Sequence, residues 1–275
     1  MSSEQSRIAL AILFISVPLI VSLIGHGEEK VPDPPRIAMC APLAVVPGTT
    51  TRVVVRAWGF DEATEVHSSV EKVTVKLLSV ANADIPNKQD AKQIGDRQVE
   101  LEVTVAADVA PGVTMLTIVT QNGTTKPHPL LIGGEFPIAL DTEPNDGFRQ
   151  AQPIQLPQII DGQIHGDRNV DVFSFDVTGE TNLVIEVEAR RRGSGLDSLL
   201  TLYDARGNVI AVNDDHTGND DHTVNDDTTD SRIEQTVAAG RYLISLQDAH
   251  DHGGPAHPYR LILRHATPIA ESVTR

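Results

Sequence analysis

The sequence predicts an all-β protein in which two β-sandwich domains follow an N-terminal apolar segment. Short segments place branched apolar side chains at every second position, which is the pattern of strands with one buried face. Beyond the N-terminal segment, no stretch keeps a helical period for more than about two turns. The 20 glycines and 17 prolines stand mostly in turn positions, as expected for many short strands.

The N-terminus carries an apolar run from Ile8 to Ile24 after a short polar start that contains Arg7. This pattern is typical of a signal peptide or a membrane anchor, which we assign to residues 1–27. Pro18 interrupts the run, which favours export over permanent anchoring. We expect a secreted, periplasmic or cell-surface protein. A proline-rich linker is expected over residues 28–38.

Residues 39–134 are predicted to form an immunoglobulin-like β-sandwich. Turn dipeptides such as Pro47-Gly48 and Asn122-Gly123 separate its strands. Its clearest strands are Thr51–Arg56, Lys72–Leu78, Gln98–Val105 and Val113–Thr120. Alternating antiparallel strands of this kind bury their apolar faces between two sheets.

Residues 139–265 are predicted to form a second sandwich, a jelly roll, followed by a tail over residues 266–275. Eight alternating segments fit the eight strands of that fold. These segments are Ile159–Ile164, Val172–Val177, Leu183–Val187, Leu199–Tyr203, Asn208–Val212, Ile233–Val237, Tyr242–Leu246 and Tyr259–Leu263.

The overall charge narrows the range of partners. The formal net charge is −16, which argues against nucleic acid and against anionic membrane surfaces. The charge also favours a monomer. A single cysteine, Cys40, excludes an internal disulfide, so stability must come from packing or from metal.

Acidic and amide side chains cluster at the entrance to the second domain. Asp141, Glu143, Asn145 and Asp146 lie within six residues, with Pro144 stiffening the chain. Asp167 and Asp171 follow just before a strand and could complete a set of oxygen ligands for a hard cation. The sequence thus predicts a site for one hard cation. In the alternative, Asn145 and Asp146 cap a turn through hydrogen bonds to the backbone.

Six motifs in the second domain recur in a familiar order. They are Glu-Pro-Asn-Asp at 143–146, Gly-Asp at 166–167 leading to Asp-Val-Phe-Ser-Phe at 171–175, Leu-Asp-Ser-Leu at 196–199, Asn-Asp-Asp at 213–215, Asp-Ser-Arg at 230–232, and Ala-Gly-Arg-Tyr at 239–242. Over about residues 139–265 the chain resembles the bacterial pre-peptidase C-terminal domain, which is similar to the collagen-binding domains of clostridial collagenases. The resemblance implies a jelly roll appended to secreted peptidases and other exported proteins, with calcium bound by the acidic entry segment. Residues 39–134 weakly resemble bacterial immunoglobulin-like modules of the TIG type.

Two further clusters are candidate metal ligands. The segment from Asn213 to Asp230 repeats a six-residue unit three times, NDDHTG, NDDHTV and NDDTTD. Its Asp214, Asp215, Asp220 and Asp221 could bind a cation, or the loop could simply be a solvated acidic insertion. His250 and His252 flank Asp251 and could chelate zinc, copper or nickel, or they could be plain exposed residues.

The function predicted from these features is that of an exported module without catalytic activity. The chain shows neither a Gly-x-Ser-x-Gly nor a His-Glu-x-x-His motif, and two sandwiches leave little sequence for a catalytic domain. We therefore expect a non-enzymatic binding or accessory protein whose partner is an extracellular protein or a matrix component. Nucleic acid is not expected as a partner, nor is a membrane beyond the N-terminal anchor. The alternative is an accessory or remnant portion of a secreted peptidase system.

Overall fold

The structure is a computed structural model that describes residues 34–60, 62–86, 89–215 and 230–266. The segment Asp33–Arg275 forms one compact unit. Strands dominate the described residues, which contain one short α-helix, α1 (Ala91–Ile94), and one short 3₁₀ helix (Arg190–Arg192). The predicted all-β class is confirmed.

Nine strands form the first sandwich. They are β1 (Arg36–Ala41), β2 (Ala44–Val45), β3 (Thr50–Trp58), β4 (Ala63–Ser68), β5 (Val73–Asn82), β6 (Arg97–Val105), β7 (Gly112–Thr120), β8 (Gly123–Thr124) and β9 (His128–Ile132). One sheet has the order β1-β3-β6-β5 and the other the order β2-β9-β7-β4, with β8 paired to β7. The short β2 runs parallel to β9, whereas the long pairs are antiparallel.

The core of the first sandwich follows directly from the alternation in its strands. In β6, Val99, Leu101 and Val103 are fully buried, while Glu100 faces outward and pairs with Arg52 of β3. Cys40 of β1 belongs to the same core and is 2% exposed. Burial raises the pKa of its thiol to about 12, so the side chain is an uncharged core residue.

Ten strands form the second sandwich. They are β10 (Ile138–Leu140), β11 (Gln152–Pro153), β12 (Gln158–Gln163), β13 (Val170–Val177), β14 (Thr181–Glu188), β15 (Ser198–Asp204), β16 (Val209–Asn213), β17 (Arg232–Val237), β18 (Gly240–Asp248) and β19 (Pro258–His265). The sheets have the orders β10-β12-β19-β14-β17 and β11-β13-β18-β15-β16. Between them lies a core that includes Phe173, Phe175, Leu200, Ile244 and Leu261.

Several contacts join the two sandwiches. The Arg260 guanidinium of β19 makes a two-pronged ion pair with Asp161 of β12, at 2.7 and 2.8 Å, and donates to the Gly133 carbonyl at 2.8 Å. Met39 and Ile94 pack against Ala256 in a small separate apolar cluster. These contacts tie the end of β9 and helix α1 to the second sandwich.

The observed elements extend the predicted ones. All twelve predicted strands are present, but β1 begins at Arg36, inside the stretch expected to be linker. The second sandwich has ten strands rather than eight, because β10 and β11 add short parallel pairs at the sheet edges. Segments of two or three residues are too short to show alternation. The predicted signal or anchor segment and nearly all of the predicted tail lie outside the described residues.

Candidate metal site at the entrance to the second sandwich

The acidic entry segment is anchored at the edge of a sheet. It leaves β10, which pairs in parallel with β12 so that Leu140 lies beside Asp161. The Asp141 amide then donates to the Asp161 carbonyl at 3.0 Å. The Gln152 side chain holds the next turn, accepting from the Thr142 amide at 2.8 Å and donating to the Leu140 carbonyl at 2.9 Å.

The segment folds back on itself around Asn145, which is fully buried. Its Nδ2 donates to Asp141 Oδ1 at 2.7 Å, and its backbone amide donates to Glu143 Oε2 at 3.1 Å. Its carbonyl accepts from the Val172 amide of β13 at 3.0 Å. These bonds bring the entry segment against the start of β13, where Asp171 lies.

Asp171 is fully buried, and the Tyr259 hydroxyl donates to its Oδ2 at 2.6 Å. Gly162 permits this approach: a Cβ there would lie 2.4 Å from the Tyr259 hydroxyl oxygen and 2.6 Å from Asp141 Cβ. Only a glycine fits between the phenol and the entry segment.

His165 joins the cluster, although the sequence did not single it out. Its Nδ1 lies 3.1 Å from Glu143 Oε1. Asn169 braces the same turn, because its Oδ1 accepts from the His165 amide at 2.8 Å and its Nδ2 donates to Asp146 Oδ1 at 2.9 Å. One potential ligand atom from each of Asp141, Glu143 and His165 falls within a group whose members all lie within 4.8 Å of one another. We call Asp141, Glu143, Asn145, Asp146, His165 and Asp171 the entry site.

Three buried oxygens of the entry site accept no hydrogen bond from any residue that the structure describes. They are Asp141 Oδ2, Asn145 Oδ1 and Asp171 Oδ1. A buried oxygen without a donor costs free energy, and the cost is larger for a carboxylate. The hydrogen bonds inside the entry segment therefore leave acceptors unsatisfied.

The raised pKa values in the entry site also indicate that its buried carboxylates lack compensating positive charge. Burial raises the pKa of Asp171 to about 8, and the Asp141, Glu143 and Asp146 carboxylates add to the shift. Burial and the nearby Glu143 also raise the pKa of Asp141. Burial and the Asp171 and Asp141 carboxylates raise the pKa of Tyr259. A divalent cation would offset both the burial of these charges and the repulsion between the carboxylates that adds to the shifts.

Asp167 is the predicted ligand that the structure places elsewhere. Its side chain is exposed, and it lies outside the group formed by Asp141, Glu143 and His165. Asn169, two residues later, makes the contact with Asp146 instead. The sequence offered no means of ranking Asp167 against Asn169, because both stand in the same polar turn.

His250 and His252 have different carboxylate partners. His250 Nδ1 lies 3.2 Å from Asp197 Oδ2, whereas His252 Nδ1 lies 3.9 Å from Asp248 Oδ1. Their ring centroids are 6.2 Å apart. Asp248 Oδ1 also accepts both backbone amides, at 2.9 and 3.0 Å. The geometry describes a turn organised by Asp248 rather than two imidazoles converging on one ion.

The acidic repeat is described only at its ends. Asp214 and Asp215 are exposed, while Asp220 and Asp221 lie outside the described residues. At the far end, the buried Asp230 accepts from the Arg190 amide at 2.6 Å and pairs with the Arg191 side chain at 3.2 Å. Asp230 therefore fixes the start of the 3₁₀ helix within the sandwich.

In the part of the chain that the structure describes, the helices are too short and too polar to span a membrane.

Comparisons with known proteins find one stretch that is shared with a protease. No family model matches the chain. A stretch of 79 residues is 42% identical to a probable subtilase-type serine protease of Deinococcus radiodurans, covering 28% of the chain and 11% of that protein. The chain thus matches a small part of the protease's length. This identity confirms the predicted resemblance to a peptidase-associated domain.

Two solved structures are also similar. The pre-peptidase C-terminal domain of collagenase from Bacillus anthracis is 19% identical, with 41% of this chain and 93% of that one covered and a TM-score of 0.32. The secreted serine protease VesC from Vibrio cholerae is 9% identical, with 81% of this chain and 48% of that one covered and a TM-score of 0.28.

Proposed function

We propose that the chain is an exported, non-catalytic module that binds an extracellular protein or matrix component, and that calcium orders its second sandwich. The observation that carries the calcium proposal is the set of three unpartnered buried oxygens on Asp141, Asn145 and Asp171. Calcium takes six to eight oxygen ligands from carboxylates, amides and water. Glu143 and Asp146 stand beside the three buried oxygens and can add further ligands.

The chemistry of the donors fits a hard cation. Asp141 and Asp171 supply carboxylates and Asn145 supplies an amide oxygen, all of which are hard ligands. When bound, the ion would neutralise the carboxylates and connect the entry segment to β13 and so to the core. Because it would bind the folded protein and not the unfolded chain, it would stabilise the fold by mass action.

Calcium titration of the full chain by calorimetry, with the melting temperature followed in parallel, tests this proposal. The test variant is D141A/E143A/D146A, and the matched control is E65A/E71A/E180A, which removes three exposed carboxylates elsewhere. We expect the wild type and the control to bind calcium and melt higher, and the test variant to do neither. Equal responses from all three proteins would reject the entry site.

A second candidate function is a part in a secreted peptidase system, as an accessory or as a remnant of a larger enzyme. The identity to a stretch of a subtilase-type protease favours it. Incubation of the pure chain with casein should give no cleavage, since we propose no catalytic activity. Capture with the tagged chain from a culture medium, followed by an active-site probe for serine peptidases, should then label a bound peptidase. Absence of a labelled partner would favour the first candidate, and casein cleavage would reject both.

The remaining features of the proposal follow from the charge. A net charge of −16 disfavours nucleic acid as a partner, and it favours a monomer that is soluble outside the cell.

A further inference from the structure

We infer that His165 is a direct metal ligand of the entry site, so that Zn²⁺ competes there with calcium. The inference rests on the proposed function, because it concerns the same site, and it adds a second ion and the residue that selects that ion. Potential ligand atoms of Asp141, Glu143 and His165 all lie within 4.8 Å of one another.

The spacing of two of these ligand atoms fits a small ion. His165 Nδ1 and Glu143 Oε1 are 3.1 Å apart. Ligands about 2.0–2.1 Å from a tetrahedral zinc ion stand roughly 3.3 Å from each other. The imidazole and the carboxylate therefore need to move by only a few tenths of an ångström to share one ion.

The donor types distinguish the two ions. Calcium is bound through oxygen, whereas imidazole nitrogen suits zinc and other borderline metals. The His165 side chain is exposed and contacts Glu143 through Nδ1. A neutral imidazole could give up this contact and bind a metal ion through the same nitrogen. A calcium ion would not bind this nitrogen, because its ligands are oxygen atoms.

The two ions would compete for the Asp141 carboxylate, which both sites use. Its Oδ1 accepts from Asn145, and its Oδ2 is buried without a partner, as are Asn145 Oδ1 and Asp171 Oδ1. Calcium would draw Asp141 toward these deep oxygens. Zinc would draw the same carboxylate toward Glu143 and His165, so one ion would leave the other with an incomplete ligand set.

Access and room for a water ligand come from a neighbouring cleft. Asp141 and His165 line a cleft of about 470 Å³, whose other wall includes Ala41 and Pro42 of the first sandwich. Three protein ligands with an open fourth position are a common arrangement for zinc. The zinc ion would therefore lie nearer the cleft than the calcium ion.

The test is a pair of calorimetric titrations, one with ZnCl₂ and one with CaCl₂, on the full chain and on H165Q. The substitution should preserve the fold, because His165 is exposed and its backbone amide keeps its bond to Asn169. We expect H165Q to lose at least about tenfold in zinc affinity and to bind calcium as the wild type does. The visible absorption of added Co²⁺ provides a second measurement. Ligation by the His165 nitrogen should alter the Co²⁺ spectrum when wild type is added, and H165Q should not produce this change.

The matched control is H250Q/H252Q, which removes the other paired histidines and should leave zinc affinity unchanged. The inference is overturned if zinc does not bind, if H165Q binds it as tightly as wild type, or if H165Q weakens zinc and calcium equally. Calcium binding without His165-dependent zinc binding would overturn this inference and leave the proposed calcium site standing. His165-dependent zinc binding without calcium binding would reject the calcium proposal and the competition between the two ions, and would leave only His165 as a zinc ligand.

Discussion

Tyr259 and Asp171 form a buried hydrogen bond that joins β19 to β13 across the second sandwich. The phenol donates to Asp171 Oδ2 at 2.6 Å, and the two residues are 1% and 0% exposed. The bond satisfies one oxygen of a carboxyl group whose other oxygen has no hydrogen-bond partner among the described residues. It links the entry site to the core between the two sheets.

We predict that Tyr259→Phe will destabilise the protein by about 1–3 kcal/mol, because a buried carboxyl oxygen loses its donor. Urea unfolding at neutral pH measures the change. The control is Tyr242→Phe, whose hydroxyl donates to the neutral Ala238 carbonyl at 2.9 Å and whose loss should cost less. An equal loss in both variants would contradict the special role of the Asp171 contact.

We predict that metal-free wild type will lose stability as the pH rises from about 6.5 to 8. The folded state holds the Asp171 proton up to about pH 8, whereas the unfolded chain releases it near its ordinary pKa. The folded state thus binds more protons in this window, and each pH unit costs up to about 1.4 kcal/mol.

Asp171→Asn should flatten this dependence, since it removes the charge and keeps an acceptor for Tyr259. The measurement is denaturant unfolding in chelator at pH 6.5 and pH 8. In chelator at pH 8, Asp171→Asn should be more stable than wild type. When calcium is added at pH 8, wild type should gain stability and the variant should gain little, so that wild type becomes the more stable protein. A wild type whose stability in chelator rises between these pH values would contradict the prediction.

We predict the opposite trend at lower pH from His257, which is 2% exposed. Burial lowers its pKa to about 4. The unfolded chain binds the proton below about pH 6.5 and the folded state does not, so the contribution of His257 to stability falls as the pH drops from 6.5 to 4. His257→Gln should reduce that fall.

The control for His257→Gln is His67→Gln, which removes an exposed histidine beside Glu65. This control should show the same change of unfolding free energy with pH as wild type. Carboxylates that titrate in the same range are common to all three proteins, so the difference between slopes reports His257. Identical slopes for wild type and His257→Gln would refute the assignment.

We predict that Asp161→Ala will destabilise the protein by about 3–5 kcal/mol, because it leaves the buried Arg260 charge without its partner. Thermal and urea unfolding measure the loss. Asp108→Ala breaks the exposed pair with Lys72 and should change stability little, since exposed pairs contribute little. Similar effects at the two positions would show that Arg260 is adequately solvated when unpaired.

Much of the fold could be predicted because alternation encodes burial directly. Val99, Leu101 and Val103 stand at every second position and are fully buried. Strands β10 and β11 escaped prediction because two or three residues carry no period, and their pairing is set by tertiary contacts. The start of β1 was mistaken for linker because it follows two prolines.

The entry site was predictable only where its residues are close in sequence. Asp141, Glu143 and Asn145 form a compact motif, and the structure brings them together with Asp171. His165 is 22 residues from Glu143, and only the parallel pairing of β10 with β12 makes them neighbours. Asp167 and Asn169 stand in the same polar turn, and the geometry of that turn places Asn169 against Asp146.

The thiol of Cys40 can serve as a built-in probe for opening of the core of the first sandwich. It is the single thiol of the sequence, and it lies in the core of the first sandwich at 2% exposure with its pKa raised to about 12. An alkylating reagent can therefore react only during the moments when that core opens. The rate of labelling would report the free energy of opening of the core around Cys40. It could be measured in unpurified culture medium as well as on the pure protein. Added metal should slow labelling only if order in the second sandwich is transmitted to its neighbour.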